Sequence, residues 1–432
     1  MVEERVSQEP AGSRADAGAA SARLQTMADT DTTVTAAGAR LDTGITELNR
    51  TLGGGLVRDS FVLIGGDPGI GKSTLLLQLA AGLLAKTSED FQILYASGEE
   101  SVEQIRSRAE RLGCPKSKRI GLLAENRINA IESLVHTQKP GLLIVDSLQT
   151  FVCDELEGAP GSVGQVREIA SRLMKLAKTD GVAVVLVGHV TKDGALAGPK
   201  VVEHMVDTVL YFEGDGQFGT RLLRTVKNRF GSTHELGIFE MRREGLVQVA
   251  NPSMLFLSER KQPVPGTAVT CTLEGTRPLM VEVQALVATS PLAMPRRTSV
   301  GLDTNKSSLI AAVLDRALEL RLAQSDLFLN VAGGLKLTEP ASDLAVAAAL
   351  WSSATGHAIP GSYVFLGEVG LTGEVQRIHY PDLRLEEARK LGFSAAVLPA
   401  GTAEKLKREG LTTGIKLIGI ARLSELSRVL DR

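Results

Sequence analysis

The sequence is poor in the residues that mark several common classes of protein. Aromatic residues make up 4% of the 432 residues, so a surface built mainly for stacking nucleic-acid bases is not expected. The net charge is −2, from 48 basic and 50 acidic residues, which excludes an overall basic nucleic-acid-binding composition. Any contact with DNA therefore has to come from a local group of lysines and arginines.

Cysteines are equally scarce. The chain has three, Cys114, Cys153 and Cys271, and no two of them form a C-x-x-C pair. This spacing gives no basis for a zinc knuckle or a disulfide framework, and it is typical of a reducing cytoplasm. No run of about 18 apolar residues is present to span a membrane, and the start of the chain lacks the layout of a signal peptide. We therefore expect a soluble, cytoplasmic protein with no membrane partner.

The composition changes along the chain. Residues 1–40 are rich in alanine, serine, threonine, glycine and aspartate, which predicts a disordered tail. In residues 41–252, short apolar runs alternate with helical patterns, and this predicts an α/β domain with a mainly parallel sheet covered on both faces. Its last strands, within 209–242, are short and closely spaced, which predicts an antiparallel end to the sheet. Residues 253–432 have the texture of a second, α+β domain, with a linker predicted at Ser290–Ser299.

A glycine-rich segment after the first long apolar run matches the G-x-x-x-x-G-K-[ST] phosphate loop in full. Its residues are Gly66, Asp67, Pro68, Gly69, Ile70, Gly71, Lys72 and Ser73, followed by Thr74. The glycines let backbone N–H groups surround phosphate oxygens, and the following helix directs its positive end at the anion. In this pattern Lys72 binds the β- and γ-phosphates, and the Ser73 hydroxyl binds Mg²⁺. The sequence therefore predicts an ATP site with Mg²⁺ as cofactor.

Acidic residues complete the predicted site. Asp146 ends an apolar run, where a carboxylate holds the Mg²⁺ shell, and Ser147 after it is a candidate for orienting water. Glu99 and Glu100 follow another apolar run, and a carboxylate there can orient and partly deprotonate the attacking water. The alternative for both glutamates is a solvated helix N-terminus, where acidic residues are favoured in any case.

Four segments together resemble the bacterial RadA (Sms) family of the RecA superfamily. They are Leu52–Leu56, the phosphate loop, Ser97–Ser101 and, as the most specific mark, Lys227–Gly231. The resemblance implies a RecA-like ATPase core in a ring, which we expect to be a hexamer with ATP between its subunits. It also implies a motor that binds single-stranded and branched DNA, carries out branch migration on recombination intermediates, and works with a RecA-type recombinase.

The resemblance assigns roles to individual residues. Glu99 occupies the position of the catalytic glutamate, and Lys227 and Arg229 occupy the positions of groups that act on the neighbouring subunit's ATP. A cation supplied in trans stabilises charge on the transferred phosphoryl group. Together with Lys72 these are the expected catalytic residues. The alternative for Lys227 and Arg229 is an exposed strand end with ordinary solvated charges.

The segment 191–200 takes the place of a RecA-type DNA-binding loop. It carries Lys192 and Lys200, whose charges suit contact with a single-stranded backbone irrespective of base sequence. Gly158–Ser162 is a candidate second loop, and His189 is a candidate sensor of the γ-phosphate. Plain surface loops, and for His189 an ordinary strand end, are the alternatives.

The chain departs from the family pattern in two ways. The four cysteines of the family's N-terminal zinc module are missing, so no zinc is expected. The C-terminal domain resembles the Lon protease domain with Ser342 near the nucleophile position, but Asp382 stands where the catalytic lysine belongs. Because a serine without a neutral amine as base is a weak nucleophile, we expect no proteolysis. Capping of a helix at Asp343–Ser353 is sufficient to explain Ser342.

Three functions are compatible with these patterns. The leading prediction is a DNA-dependent ATPase of recombinational DNA repair. The alternatives are an ATP-dependent serine peptidase, against which the missing lysine weighs, and a nucleotide-switched scaffold that never translocates. Stimulation of ATP hydrolysis by single-stranded DNA, and cleavage of peptides, separate the three.

Overall fold

Two β-sheets organise the part of the chain that the structure describes. This structure is a computed structural model, and it describes residues 40–189, 199–214, 219–257, 262–292, 294–410 and 414–430. The tail predicted for residues 1–40 therefore lies outside the described residues except for Arg40. That residue is the first of a short strand, so its assignment to the tail was wrong.

The first sheet and its helices occupy residues 40–248. In chain order the elements are β1 (Arg40–Leu41), α1 (Thr46–Thr51), β2 (Leu56–Val57), β3 (Phe61–Gly66), α2 (Lys72–Lys86), β4 (Ile93–Ser97), α3 (Val102–Arg111), β5 (Ile120–Ala124), α4 (Ile128–Gln138), β6 (Leu142–Asp146), α5 (Val163–Asp180), β7 (Ala183–His189), β8 (Thr208–Gly214), β9 (Thr220–Asn228), β10 (Leu236–Arg242) and β11 (Gly245–Gln248). Nine of these strands form one sheet in the order β11-β10-β9-β8-β3-β7-β6-β4-β5, and β1 pairs with β2.

The strand directions agree with the sequence pattern. Strands β3 to β8 are parallel to one another, whereas β9, β10 and β11 continue the sheet in antiparallel fashion. Every residue of β3 and β6 is buried, because apolar clusters cover both faces of the sheet. The α/β class with a mainly parallel sheet and an antiparallel end is thus confirmed. The parallel strands place their carboxyl ends at one edge of the sheet.

The second sheet and its helices follow from residue 267. They are β12 (Thr267–Glu274), β13 (Arg277–Thr289), β14 (Arg297–Val300), α6 (Thr304–Leu318), β15 (Ser325–Val331), α7 (Asp343–Thr355), β16 (Tyr363–Phe365), β17 (Glu368–Val369), β18 (Val375–Gln376), α8 (Pro381–Lys390), β19 (Ala395–Pro399), α9 (Ala400–Arg408), β20 (Lys416–Ile420) and α10 (Leu426–Leu430). The order in this seven-stranded sheet is β14-β15-β13-β12-β16-β19-β20.

The second region also corrects one boundary from the sequence. The linker predicted at Ser290–Ser299 ends earlier, because Arg297–Ser299 belong to β14 and pair in parallel with β15. The domain boundary at residue 252 stays a prediction, since the described residues from Arg40 onward pack as one compact unit. Across the described ranges, no helix combines the length and the apolar character needed to cross a membrane.

A buried ion pair stands in the second region. The Arg384 side chain is completely buried and pairs with Glu339 through both terminal guanidinium nitrogens. It also donates to the carbonyl oxygens of Cys271 at 2.5 Å and His379 at 3.0 Å. Arg384 thereby ties α8 to β12 and to the turn that precedes α7. Removing one partner of such a pair leaves the other charge without compensation.

We predict that Arg384→Met lowers the free energy of unfolding of this region by about 3–5 kcal/mol, because the Glu339 carboxylate loses its buried partner. Urea unfolding followed by tryptophan fluorescence measures this effect, because Trp351 in α7 is the one tryptophan of the chain and is 2% exposed. The matched control is Lys390→Met, which removes a surface pair with Glu386 on the same helix and should leave the unfolding midpoint in place. Equal midpoints for both variants would contradict the assigned role of Arg384.

Candidate active site

The phosphate loop joins β3 to α2 at the carboxyl edge of the first sheet. Two of its glycines are required by close contacts. A Cβ on Gly66, whose φ is 156°, would lie 2.6 Å from the Phe212 carbonyl oxygen. A Cβ on Gly71, whose φ is 120°, would lie 2.7 Å from the Met241 side chain. The Met241 side chain could move, but the positive φ at both positions is one that side chains other than glycine's rarely adopt. The loop then leads directly into the N-terminus of α2, which suits an anion.

Lys72, the first residue of α2, points back over this loop. Its side chain is nearly buried, and Nζ donates to the carbonyl oxygens of Gly66 at 2.8 Å and Asp67 at 2.9 Å. Burial lowers the pKa of Lys72 to about 8, although the charges of Asp146, Glu99 and Asp67 oppose this change. A partly desolvated ammonium group beside the backbone of a glycine-rich loop fits a bound polyphosphate.

Asp146 ends β6 on the neighbouring side of the loop. Its carboxylate is buried, Tyr95 of β4 donates to Oδ2 at 2.8 Å, and Ser73 of the loop is a second hydrogen-bond partner. Burial raises the pKa of Asp146, and the hydrogen bonds from Ser73 and Tyr95 oppose that rise. A serine hydroxyl next to a carboxylate is the oxygen donor set that suits a nucleotide-bound Mg²⁺. No sequence pattern marks Tyr95, because it stands within an apolar strand.

The two adjacent glutamates have different partners. Oε1 of Glu99 accepts a hydrogen bond from the Ser147 hydroxyl at 2.5 Å and lies 3.3 Å from Nε2 of His189. Glu100 instead forms a two-bonded ion pair with Arg108 of α3, at 2.6 and 2.5 Å. Glu99 therefore faces the group formed by Lys72 and Asp146, while Glu100 is tied to α3. This geometry favours Glu99 over Glu100 as the residue that acts on water.

Lys227 and Arg229 lie at the opposite edge of the same sheet. Lys227 pairs with Val209 of β8, and Arg229 follows the end of β9 at the level where β3 begins. The six residues of β3 separate that level from the phosphate loop. The five steps from Phe61 to Gly66, at about 3.3 Å each, make roughly 16 Å along the strands, so Arg229 does not reach the phosphate loop of its own chain.

Both cations are held by contacts at that edge. Nζ of Lys227 donates to the carbonyl oxygens of Glu203 at 2.9 Å and His204 at 3.2 Å. The guanidinium group of Arg229 lies 3.3 Å from the buried carboxylate of Asp207, yet 57% of its side chain is exposed. Asp207, which the sequence did not mark, orients Arg229 while leaving its outer face open to a neighbouring molecule.

The remaining predicted site residues belong to other segments of the chain. Lys192 falls outside the described residues, and Lys200 is exposed in a helical turn at Pro199–Val201. Gly158–Ser162 precedes α5, and its first three residues are exposed. Within the described ranges no set of three or more histidine, cysteine or acidic side chains could hold a metal ion.

Ser342 does not cap α7, which corrects the interpretation from sequence. It continues the helical turn at Pro340–Ser342 with a helical backbone, so its hydroxyl points back and donates to the Glu339 carbonyl oxygen at 2.7 Å. Lys306 lines the same small crevice, but its ammonium group is paired with Asp343 at 2.7 Å. Asp382 lies exposed in the first turn of α8.

The different partners of the two glutamates generate a prediction. Glu99→Gln keeps the size of the side chain but loses the carboxylate, so we expect ATP to bind while turnover falls about a hundredfold or more. Glu100→Gln weakens only the contact with Arg108 and should retain most of the turnover. Steady-state phosphate release and titration with a fluorescent ATP analogue measure the two quantities. The reverse order of the two variants would show that Glu100 is the residue that acts on water.

Comparison with known proteins agrees with this geometry. The family description "AAA domain" matches residues 23–195. The DNA repair protein RadA of Bacillus subtilis (strain 168) is 46% identical over 428 residues, covering 99% of this chain and 92% of the relative. The protein of the same name from Brucella abortus (strain 2308) is 51% identical over 392 residues, covering 90% of this chain and 82% of the relative. The chain therefore belongs to the family of the bacterial DNA repair protein RadA.

Proposed function

We propose that this protein is an ATPase that acts in recombinational DNA repair, where ATP hydrolysis drives the processing of branched recombination intermediates. One observation supports this proposal above all: four residues lie together at the carboxyl edge of a RecA-like sheet, namely Lys72, Ser73, Asp146 and Glu99. The relatives of the chain are named DNA repair proteins, which supports DNA as the substrate on which the motor acts. We place this activity in the cytoplasm.

In the proposed mechanism the chain binds ATP with the residues of the phosphate loop. The loop N–H groups and Lys72 hold the phosphates, and Thr74, the next residue of α2 after Ser73, belongs to the same nucleotide-binding segment. Ser73 and Asp146 hold Mg²⁺. The Mg²⁺ ion, when bound, neutralises charge that develops on the phosphoryl oxygens. Glu99 orients the attacking water and accepts its proton. Zinc has no part in this proposal.

Arg229 and Lys227 complete the site of a neighbouring subunit in this proposal. Their place about 16 Å from their own phosphate loop supports action on a neighbour's ATP over action on their own. Such an interface is heterologous and closes into a ring, for which we propose six subunits. The planar guanidinium group of Arg229 is suited to bridging two phosphate oxygens.

Lys192 and Lys200 are proposed to contact the backbone of the DNA. The net charge of −2 requires that such contacts be local, and a ring repeats each lysine around its centre. Single-stranded and branched DNA are the proposed ligands, and a RecA-type recombinase is the proposed partner. Such backbone contacts do not depend on base sequence, which suits a motor that has to act on any recombination intermediate.

The C-terminal region, from residue 253, is proposed to be a Lon-protease-like scaffold without proteolytic activity. Ser342 donates its hydroxyl proton to the Glu339 carbonyl oxygen, and Lys306 in the same crevice is paired with Asp343. A lysine whose ammonium group is held in an ion pair with a carboxylate is not free to accept a proton from a serine. These contacts support an ATPase over a peptidase.

The proposed function is tested by Lys72→Ala. This change removes the cation that contacts the phosphates, so ATP hydrolysis should be lost, as should the branch migration of a strand-exchange intermediate. In the wild-type protein single-stranded DNA should raise the rate of phosphate release. An unchanged rate with DNA would contradict the motor and favour a nucleotide-switched scaffold, and wild-type hydrolysis by Lys72→Ala would contradict the assigned site.

Action in trans is tested by mixing subunits. Lys72→Ala and Arg229→Ala proteins should each be inactive alone. Random assembly at an equal ratio leaves about a quarter of the interfaces with an intact phosphate loop facing an intact arginine, so hydrolysis should return in the mixture. Phosphate release is measured across mixing ratios, with ring formation followed by light scattering.

The matched control mixes Lys72→Ala with Glu99→Gln. Both changes damage the site within one chain, so no interface regains a complete set and no activity should return. If the Arg229→Ala mixture is as inactive as this control while rings form, Arg229 does not act on a neighbour's ATP.

A further inference from the structure

The carboxylate of Glu99 is held through one of its two oxygens. The Ser147 hydroxyl donates to Oε1 at 2.5 Å, and Nε2 of His189 lies 3.3 Å from the same atom. In the part of the chain that the structure describes, neither donor contacts Oε2. A carboxylate anchored at one oxygen has a defined orientation, and its second oxygen is left for a further hydrogen bond.

The surroundings of His189 favour a neutral imidazole ring that donates a hydrogen bond. Nδ1 of its ring is buried and has no hydrogen-bond partner among the described residues. Burial, with the positive charge of Lys72 nearby, lowers the pKa of His189, against the opposing charges of Glu99 and Asp146. A second ring proton would sit buried on Nδ1 with no acceptor among the residues that the structure describes, which is costly. The neutral ring with its proton on Nε2 therefore faces Glu99.

The backbone around His189 is also held. The Gln149 side chain accepts a hydrogen bond from the His189 N–H at 3.3 Å and donates to its carbonyl oxygen at 3.1 Å. Gln149 lies in the helical turn Leu148–Thr150, which directly follows Ser147, and the Thr150 hydroxyl donates to the Ser147 carbonyl oxygen at 2.8 Å. One short segment thus positions both donors that contact Glu99.

We propose that Ser147 and His189 are positioning residues that fix Glu99 through Oε1, so that Oε2 is directed at the attacking water. This inference rests on the proposed ATPase function. Ser147 follows Asp146 directly, so the residue that orients Glu99 and the residue that holds Mg²⁺ belong to one rigid strand end. Glu99 accepts the proton of the water through Oε2 while the two donors keep Oε1 in place.

The variants Ser147→Ala and His189→Leu remove one donor each. We expect kcat to fall about ten- to a hundredfold, because a misplaced base loses much of its effect. The Kd for a fluorescent ATP analogue should stay unchanged, because neither side chain contacts the phosphate loop. Ser147→Thr and His189→Gln keep a donor of similar reach and should recover part of the lost kcat.

A double-mutant cycle separates positioning from a general structural role. In a Glu99→Gln background the carboxylate is already absent, so adding Ser147→Ala or His189→Leu should cause little further loss in single-turnover experiments. The matched controls are Ser133→Ala and His136→Leu on α4, whose side chains are exposed; His136 contacts Asp180 at the end of α5 and not Glu99.

The outcomes distinguish this inference from the function on which it rests. Wild-type kcat in both single variants, or losses of full size in the Glu99→Gln background, would overturn the positioning role while ATP hydrolysis stands. A wild-type protein that hydrolyses no ATP would overturn the proposed function itself. Reduced kcat with unchanged Kd, and no further loss without the carboxylate, would establish Ser147 and His189 as the residues that orient Glu99.

Discussion

The parallel pairing of β3 with its neighbours β7 and β8 is the constraint on which the rest of the structure depends. Parallel strands bring their carboxyl ends to one edge, so segments that follow β3, β4, β6 and β7 meet there although they are far apart in the chain. Hydrogen bonds of the sheet hold this register, and apolar clusters on both faces keep water from competing for them. Every distance within the candidate site follows from this register.

The reversal of strand direction at β9 places the end of that strand at the other edge of the sheet. Because β9 runs antiparallel to β8, its end lies at the level where β8 and β3 begin, so the cations there are at the edge opposite the phosphate loop. Asp207 stabilises this edge, since its buried carboxylate accepts from the Phe61 N–H at 3.0 Å and pairs with Lys178 at 2.7 Å. The same sheet thus has the glycine-rich loop at one edge and Lys227 and Arg229 at the other, an arrangement that suits the proposed ring of identical subunits.

The second sheet is joined to the strand that carries these cations. Arg277 pairs with Glu47 of α1 at 2.5 Å, and Glu274 pairs with Arg224 of β9 at 2.5 Å. Both pairs are largely buried, so removing one partner would leave an uncompensated charge. The turn between β12 and β13 therefore anchors the C-terminal region to β9, close to the positions where a neighbour's ATP is proposed to lie.

The sequence by itself determined the phosphate loop, Asp146, the α/β class and the antiparallel end of the sheet. Each of these depends on local features, namely the spacing of glycines, the length of apolar runs and the residue at a strand end. The residue pattern left Glu99 and Glu100 equivalent, and the family resemblance favoured Glu99. Only the tertiary structure gives the two carboxylates different partners, because these are set by the fold and Ser147 lies 48 positions from Glu99 in the chain. The same holds for Tyr95 and Asp207, whose contacts cross between strands. Side-chain hydrogen bonds between distant segments carry no signal in the local pattern, and they exist only once the strands have paired.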